Sequence, residues 1–287
     1  MVFILIIGAN ICIFDILSRQ LELIDQDCYL QEEKGYIQHK FVKKQQLFQL
    51  NRLDYQLIQQ NQMGNKNTKK SLQNTNKYCE INSFLKSNLE EHVILELVLN
   101  FKKIQGENLI IVCKGLERCT NVQTLTIHLY SCMIQNENLC EIANSFNNMI
   151  NLTHLQLNLG VNKIGQQGVH FLGKALTKFQ KLQSVQLYLY SNQIRNEGSY
   201  LIMDQLAQCQ HISILIIEFS NNLIEDEGIL NICQQLKRFN KLTTLKLLLY
   251  GNLVEQMRRQ YLQKIIMKLN KLITFTLVLD IDENQIE

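Results

Sequence analysis

Residues 155–182 read LQLNLGVNKIGQQGVHFLGKALTKFQKL, and the spacing of apolar residues changes part-way along this stretch. Leu155 and Leu157 begin an alternation of apolar residues by two, which predicts a strand with one buried face. Leu172 and Leu176 lie four residues apart, as on one face of a helix. The stretch therefore predicts a strand followed by a helix.

The same pattern recurs every 30 residues, without a gap, over seven copies. Two further apolar columns lie two and four residues after the first one. One such unit cannot bury its own apolar face, whereas stacked units bury a continuous core. The repeats therefore predict a solenoid with a parallel sheet. The first column consists of Leu95, Leu125, Leu155, Val185, Leu215, Leu245 and Phe275.

The spacing within a repeat resembles that of leucine-rich repeats, in particular the ribonuclease-inhibitor-like subfamily. The resemblance covers about residues 90–287, although Leu152 lies two residues further upstream than the subfamily pattern places it. It implies an α/β horseshoe, with a parallel β-sheet on the concave face and helices on the convex face. The matching residues are Leu157, Leu159, Asn162, Ile164, Gly168, Leu172, Leu176 and Leu182.

A polar column follows the strands, where the chain turns inside the predicted solenoid. Backbone groups at such a turn need partners, and a stacked amide supplies both a donor and an acceptor. The resemblance implies that cysteine can replace asparagine here. We therefore predict a structural ladder made of Cys132, Asn162, Asn192, Asn222 and Asn252.

Two segments are expected along the chain. Residues 1–80 form an N-terminal segment that is partly helical, with a polar, low-complexity linker near 61–77. Residues 81–287 form the solenoid of about seven 30-residue repeats. The apolar stretch 2–17 is too short for a membrane helix and has no cation before it, unlike a signal peptide. Its role stays open.

Composition and motifs exclude several classes of protein. Lys and Arg number 29 against 26 Asp and Glu, so the charge of a dedicated nucleic-acid binder is missing. The nine cysteines include no Cys-x-x-Cys pair, and the histidines share no metal-ligand spacing. We expect a cytoplasmic protein with reduced thiols, no metal, no cofactor, no nucleic-acid partner and no membrane span. No phosphate-binding loop, His-Glu-x-x-His motif or kinase motif occurs, so we expect no enzymatic activity.

The concave face of the predicted horseshoe is the candidate binding surface. Its residues lie between the buried leucines of each strand. Tyr130, Tyr190 and Tyr250 share one register, and tyrosine suits binding hot spots, although the rings could equally stack to stabilise the sheet. The predicted partner-binding residues are His128, Tyr130, His154, Gln156, Asn158, Gln186, Tyr188, Tyr190, Ile216, Glu218, Lys246, Leu248 and Tyr250.

The C-terminal stretch 272–281, LITFTLVLDI, predicts an apolar edge strand without a polar cap. Either self-association or a partner covers this edge, or the chain is part of a longer repeat array.

The function expected from these features is a protein-interaction module or scaffold that binds a protein partner on the concave face. The resemblance implies two alternatives. One is a regulator of a catalytic partner, such as a GTPase-activating protein of the Ran type. The other is a fragment or paralogue of a kinase–repeat protein that lacks the kinase domain. The sequence identifies neither the partner nor the oligomeric state.

Overall fold

A computed structural model describes residues 75–279 of the chain. Eight strands alternate with helices, as the change of period within each repeat predicts. The predictions for residues 2–17, and for the helical part of residues 1–80, lie outside the described residues. The strands are β1 (Thr75–Tyr78), β2 (Ile94–Val98), β3 (Thr124–His128), β4 (His154–Asn158), β5 (Ser184–Tyr188), β6 (Ile214–Glu218), β7 (Thr244–Leu248) and β8 (Thr274–Val278).

The helices follow the strands at the positions that the apolar spacing of three and four indicates. A short 3-10 turn, Leu89–Glu91, precedes β2. Each longer helix turns its apolar stripe toward the sheet and joins the same core. The helices are α1 (Ile81–Leu85), α2 (Glu107–Glu117), α3 (Asn136–Ser145), α4 (Gln166–Leu176), α5 (Arg195–Gln208), α6 (Asp226–Leu236) and α7 (Gln256–Met267).

The strands form one parallel sheet in chain order, from β1 to β8. From β2 onward each residue pairs with the residue 30 positions later, so Leu155 lies between Leu125 and Val185. A helix is about 10 Å wide, whereas strands lie about 4.8 Å apart, so stacking places the sheet on the inner side of the curve. The expected α/β solenoid of the leucine-rich-repeat type is confirmed.

The sheet begins earlier than the repeat period indicates. β1 starts at Thr75, inside the segment that the sequence assigned to the linker and before the expected solenoid start at residue 81. Thr75 pairs with Ile94, only 19 residues later, so β1 lies outside the 30-residue period. The period therefore gave no sign of this strand.

The polar column forms the turn that leaves each strand. Asn222 is fully buried, and its Nδ2 donates to the backbone oxygens of Leu189 (2.9 Å), Phe219 (3.0 Å) and Ser220 (3.2 Å). Its Oδ1 accepts from the N–H of Ile194, one repeat earlier. The side chain thus joins two repeats. Asn162, Asn192 and Asn252 make corresponding bonds.

Cys132 occupies the same column with different bonds. Its side chain is fully buried, and its Sγ lies 3.0 Å from the backbone oxygen of Leu99. Its own N–H donates to Oδ1 of Asn162. The thiol supplies a donor but not the amide acceptor, so it replaces only part of what asparagine provides.

Candidate functional site

The concave face is the side of the sheet that points away from the helices. Because successive side chains of a strand alternate between faces, the leucine columns enter the core while the residues between them point outward. In β5, Val185 and Leu187 are fully buried core residues, whereas Gln186 and Tyr188 lie on the concave face.

The structure divides the thirteen predicted site residues into two groups. Eight are at least partly accessible: His128, Tyr130, His154, Asn158, Gln186, Tyr188, Tyr190 and Tyr250. The other five are buried: Gln156, Ile216, Glu218, Lys246 and Leu248. All but one of the buried group lie on β6 and β7, where large side chains occupy neighbouring strands. The accessible part of the concave face therefore lies mainly on β3, β4 and β5.

Three aromatic rings form a row at the carboxyl ends of the strands. The ring of Phe101 meets that of Tyr130 edge-on, with centroids 5.0 Å apart. The ring of Tyr130 stacks on that of Tyr190 with centroids 6.0 Å apart. Both arrangements are favourable for aromatic pairs. Phe101 is 72% exposed, so the row ends in an accessible ring. We call Phe101, Tyr130 and Tyr190 the aromatic row.

The aromatic row depends on a small residue between its tyrosines. Tyr130 and Tyr190 lie two strands apart, a separation of about 9.6 Å in a flat sheet. Gly160 lies between them, and a Cβ built there would be 2.4 Å from the ring of Tyr190. The missing side chain lets the Tyr190 ring lean across β4 toward Tyr130. Ser220, also small, separates Tyr190 from Tyr250 in the same column.

Phe101 has an unusual backbone conformation for a bulky residue. Its φ is +60°, in the left-handed region, and the next five repeats, as far as Gly251, have the same conformation. The turn after β2 to β7 therefore requires it, and a phenylalanine at such a position is strained. Residues in the same column are Ser131, Val161, Ser191, Asn221 and Gly251, with φ between +53° and +67°.

Two buried ionisable side chains, Glu218 and Lys246, lie on the other half of the concave face. Glu218 is 1% exposed, and burial raises the pKa of its carboxyl to about 7, while the charge of Lys246 opposes that rise. Burial, together with the nearby Glu218 charge, raises the pKa of Tyr250 to about 12. The pKa of Tyr190 is raised for the same two reasons. The hydroxyl of Tyr190 is buried, and the described part of the chain offers it no hydrogen bond.

Polar contacts hold the N-terminal end of the concave face. Lys77 on β1 forms an ion pair with Glu96 on β2, with 2.6 Å between Nζ and Oε1. Nε2 of His128 lies 3.7 Å from the same oxygen. Burial lowers the pKa of His128, although the carboxylate of Glu96 acts in the opposite direction. These side chains make a polar boundary beside the aromatic row.

Sequence reasoning missed three residues of this surface. Phe101 lies one position beyond the tyrosine column, Glu96 shares the column of Gln156, and Gly160 shares that of the tyrosines. The 30-residue period contained the signal for Glu96 and Gly160. Nothing in the period singled out Phe101, because its importance comes from the exposed turn.

The described residues 75–279 contain no group of three His, Cys, Asp or Glu side chains placed to hold a metal ion. Within the same residues, no helix has both the length and the apolar character needed to span a bilayer.

Comparisons with known proteins add a likeness of fold. No family model matches the chain, and no curated protein matches it. A solved structure titled leiomodin-1 actin-binding site 2 is similar in fold, with 16% sequence identity and a TM-score of 0.42. The match covers 66% of this chain and 93% of the leiomodin-1 chain.

Proposed function

We propose that this chain is a non-enzymatic protein-interaction module of the ribonuclease-inhibitor-like leucine-rich-repeat type, which binds a protein partner on its concave face. The observation that carries the proposal is the aromatic row. Its outermost ring, Phe101, is largely exposed and therefore accessible to a partner.

The chemistry of the row suits a protein partner. Stacked rings offer a rigid apolar surface that loses little conformational entropy on binding, and aromatic side chains dominate binding hot spots. The polar boundary of Glu96, Lys77 and His128 lies beside it. An apolar centre beside a polar rim is the usual anatomy of a protein interface. We place the binding site on β2 to β5. We propose that the protein is cytoplasmic.

The buried residues of the original set have a different role in this proposal. These residues support the sheet from the concave side and do not meet the partner directly; they are Gln156, Ile216, Glu218, Lys246 and Leu248. The regulatory and kinase–repeat alternatives stay predictions of the sequence resemblance.

The test uses substitutions that the repeats themselves already contain. Phe101→Ser and Tyr130→Ser place serine where other repeats have Ser131 and Ser220. We expect the double variant to retain about tenfold less of a specific partner in a quantitative pull-down from extract of the source cell, a loss of about 1.4 kcal/mol.

The control variant removes exposed apolar side chains from the helical side. Ile110→Gln and Phe171→Gln change residues that are 48% and 43% exposed. The partner should stay bound to this variant, and circular dichroism should show both variants folded. Equal retention by wild type and both variants would place binding elsewhere and contradict the proposal.

A further inference from the structure

The last strand leaves one edge of the sheet without a described neighbour. β8 ends the strand order within residues 75–279. The N–H of Thr274 donates to Thr243, and the carbonyl of Val278 accepts from Leu249, so these backbone groups face β7. Because alternate residues of a strand direct their backbone groups to opposite edges, those of Phe275 and Leu277 face away from β7. They form a template for a further strand.

The core beside this edge is only partly covered. Leu272 and Phe275 continue two apolar columns and are partly buried. In the repeat before them, Leu242 and Leu245 are 2% and 1% exposed. Ile273, next to the edge, is 76% exposed. An added strand with alternating apolar residues would bury these side chains.

The helical layer ends differently. Inner helices place apolar residues, such as Leu139 and Ile229, where α7 has Arg259. Cys233 is buried in α6, and Gln263 occupies its position in α7. Helix α7 thus has polar residues at two positions where inner helices bury apolar ones, while the sheet edge stays apolar. An added extended strand would cover the apolar edge without burying Arg259 and Gln263.

A basic cluster lies at the amino end of β8. In earlier repeats the cations at these positions contact a group one repeat back: Lys181 donates to Asn151, and Lys241 lies 3.1 Å from a ring nitrogen of His211. At the last repeat, the residue 30 positions before Lys271 is Lys241 itself. Lys268 and Lys271 therefore follow basic residues, Arg238 and Lys241, at the same positions of the repeat before. We call Lys237, Arg238, Lys241, Lys268 and Lys271 the basic cluster.

Most of the basic cluster has no ion pair within residues 75–279. Arg238 pairs with Asp204, whereas the four lysines of the cluster pair with no carboxylate in that part of the chain. A helix C-terminus attracts cations through its dipole, but by only about 0.3–1 kcal/mol, and like charges in adjacent repeats oppose that gain. The cluster therefore favours an anionic group beside Ile273.

A second copy of this chain fits poorly. Its own β8 would bring a second basic cluster to the first. Its β1, the other edge of the sheet within residues 75–279, has the sequence TNKY and contributes a lysine. Neither strand brings an acidic residue to the cations, so charge complementarity points to a different protein.

We propose that the β8 edge binds an extended segment of a partner protein as a ninth parallel strand, with acidic residues preceding an alternation of apolar ones. The parallel direction continues that of every ladder in the sheet. It places the acidic residues against the basic cluster and the apolar side chains over Leu272 and Phe275. This surface is separate from the aromatic row.

The test measures fluorescence anisotropy of a labelled peptide added to the full chain. The peptide has four acidic residues followed by alternating valine and threonine. We expect saturable binding below about 1 mM. Lys268→Glu with Lys271→Glu should weaken it about tenfold or more, and salt should weaken wild-type binding. A peptide methylated on alternate backbone nitrogens cannot pair as a strand and should lose binding.

Matched controls separate this surface from the rest of the molecule. Lys114→Glu with Lys174→Glu makes the same change of charge on exposed lysines of α2 and α4 and should leave binding unchanged. The variant Phe101→Ser with Tyr130→Ser should also bind normally, so the result does not depend on the proposed function.

Several outcomes would overturn the proposal. They are failure of the peptide to saturate, equal binding of the methylated peptide, and equal binding by the Lys268 and Lys271 double variant. Dimerisation that this variant abolishes would make a second copy the occupant. Residues 280–287 include four acidic side chains. If the peptide bound only after these were changed to amides, the occupant would be the chain itself.

Discussion

The inner repeats and the last repeat use nearly the same residues but bury them differently. Leu242 and Leu272 share a column, yet Leu242 is 2% exposed whereas Leu272 is only partly buried. The difference comes from the neighbouring repeat and not from the residue itself. In a solenoid, the energetic value of a side chain therefore depends on which repeats flank it.

The helices show the same contrast in their packing. Three helices have glycine near their first turn, at Gly168, Gly198 and Gly228, whereas α7 has Arg258. A Cβ at Gly198 would lie 2.7 Å from Ile194 and 3.0 Å from the backbone of Gln166. These glycines allow neighbouring helices to approach closely. Arg258 instead extends toward Asp226, with 3.5 Å between Nε and Oδ2.

The largest expected effect is the loss of a leucine side chain from an inner repeat. Leu242→Ala should lower the free energy of unfolding by about 3 kcal/mol, because it removes buried surface and leaves a cavity. Leu272→Ala, in the same column, should cost about 1 kcal/mol, since its side chain is already partly hydrated in the folded chain. Urea unfolding of the full chain, followed by circular dichroism, measures both values.

Equal losses of unfolding free energy in the two variants would contradict the difference between inner and last repeats. They would mean that Leu272 is as well covered in solution as Leu242, and that something occupies the β8 edge. The measurement is then repeated with the acidic peptide bound. The loss of unfolding free energy caused by Leu272→Ala should rise toward that caused by Leu242→Ala.

The asparagine ladder gives a second, smaller contrast. Asn222 is fully buried, so Asn222→Ala leaves three carbonyls and the N–H of Ile194 without their partner and should cost about 3 kcal/mol. Asn252 makes similar bonds but is partly accessible. Asn252→Ala should cost about half as much, because water can replace the amide.

Hydrogen exchange distinguishes the two ladder variants residue by residue. The amide of Ile194 should lose protection in Asn222→Ala, and the amide of Ile224 should lose less in Asn252→Ala. The reverse order would show that the hydrogen-bond geometry, and not access to water, sets the value of each asparagine.

The 30-residue period predicted the fold because the solenoid is built from contacts between residues 30 positions apart. Every ladder from β2 to β8 follows that spacing, and the Asn222 column lies where the period placed it. The concave face was less predictable. Alternation showed that Ile216 and Leu248 point away from the helices, but it could not show that both are buried there. Exposure depends on how side chains of neighbouring strands and columns pack together, which the alternation along one strand does not contain.

The smallest expected effect concerns the helix-entry column. Gly198→Ala gains about 1 kcal/mol of helix propensity but forces a methyl group against Ile194 and Gln166, so we expect a net loss of about 1–2 kcal/mol. Arg258→Ala should change stability by less than about 0.5 kcal/mol, because it removes a partly exposed side chain and one long ion pair. Thermal unfolding of both variants resolves the difference. If Gly198→Ala were neutral, α5 could move away from α4 without cost. The close approach of the inner helices would then follow from the glycines without adding to stability, and the distinction between inner and last repeats would rest on the sheet alone.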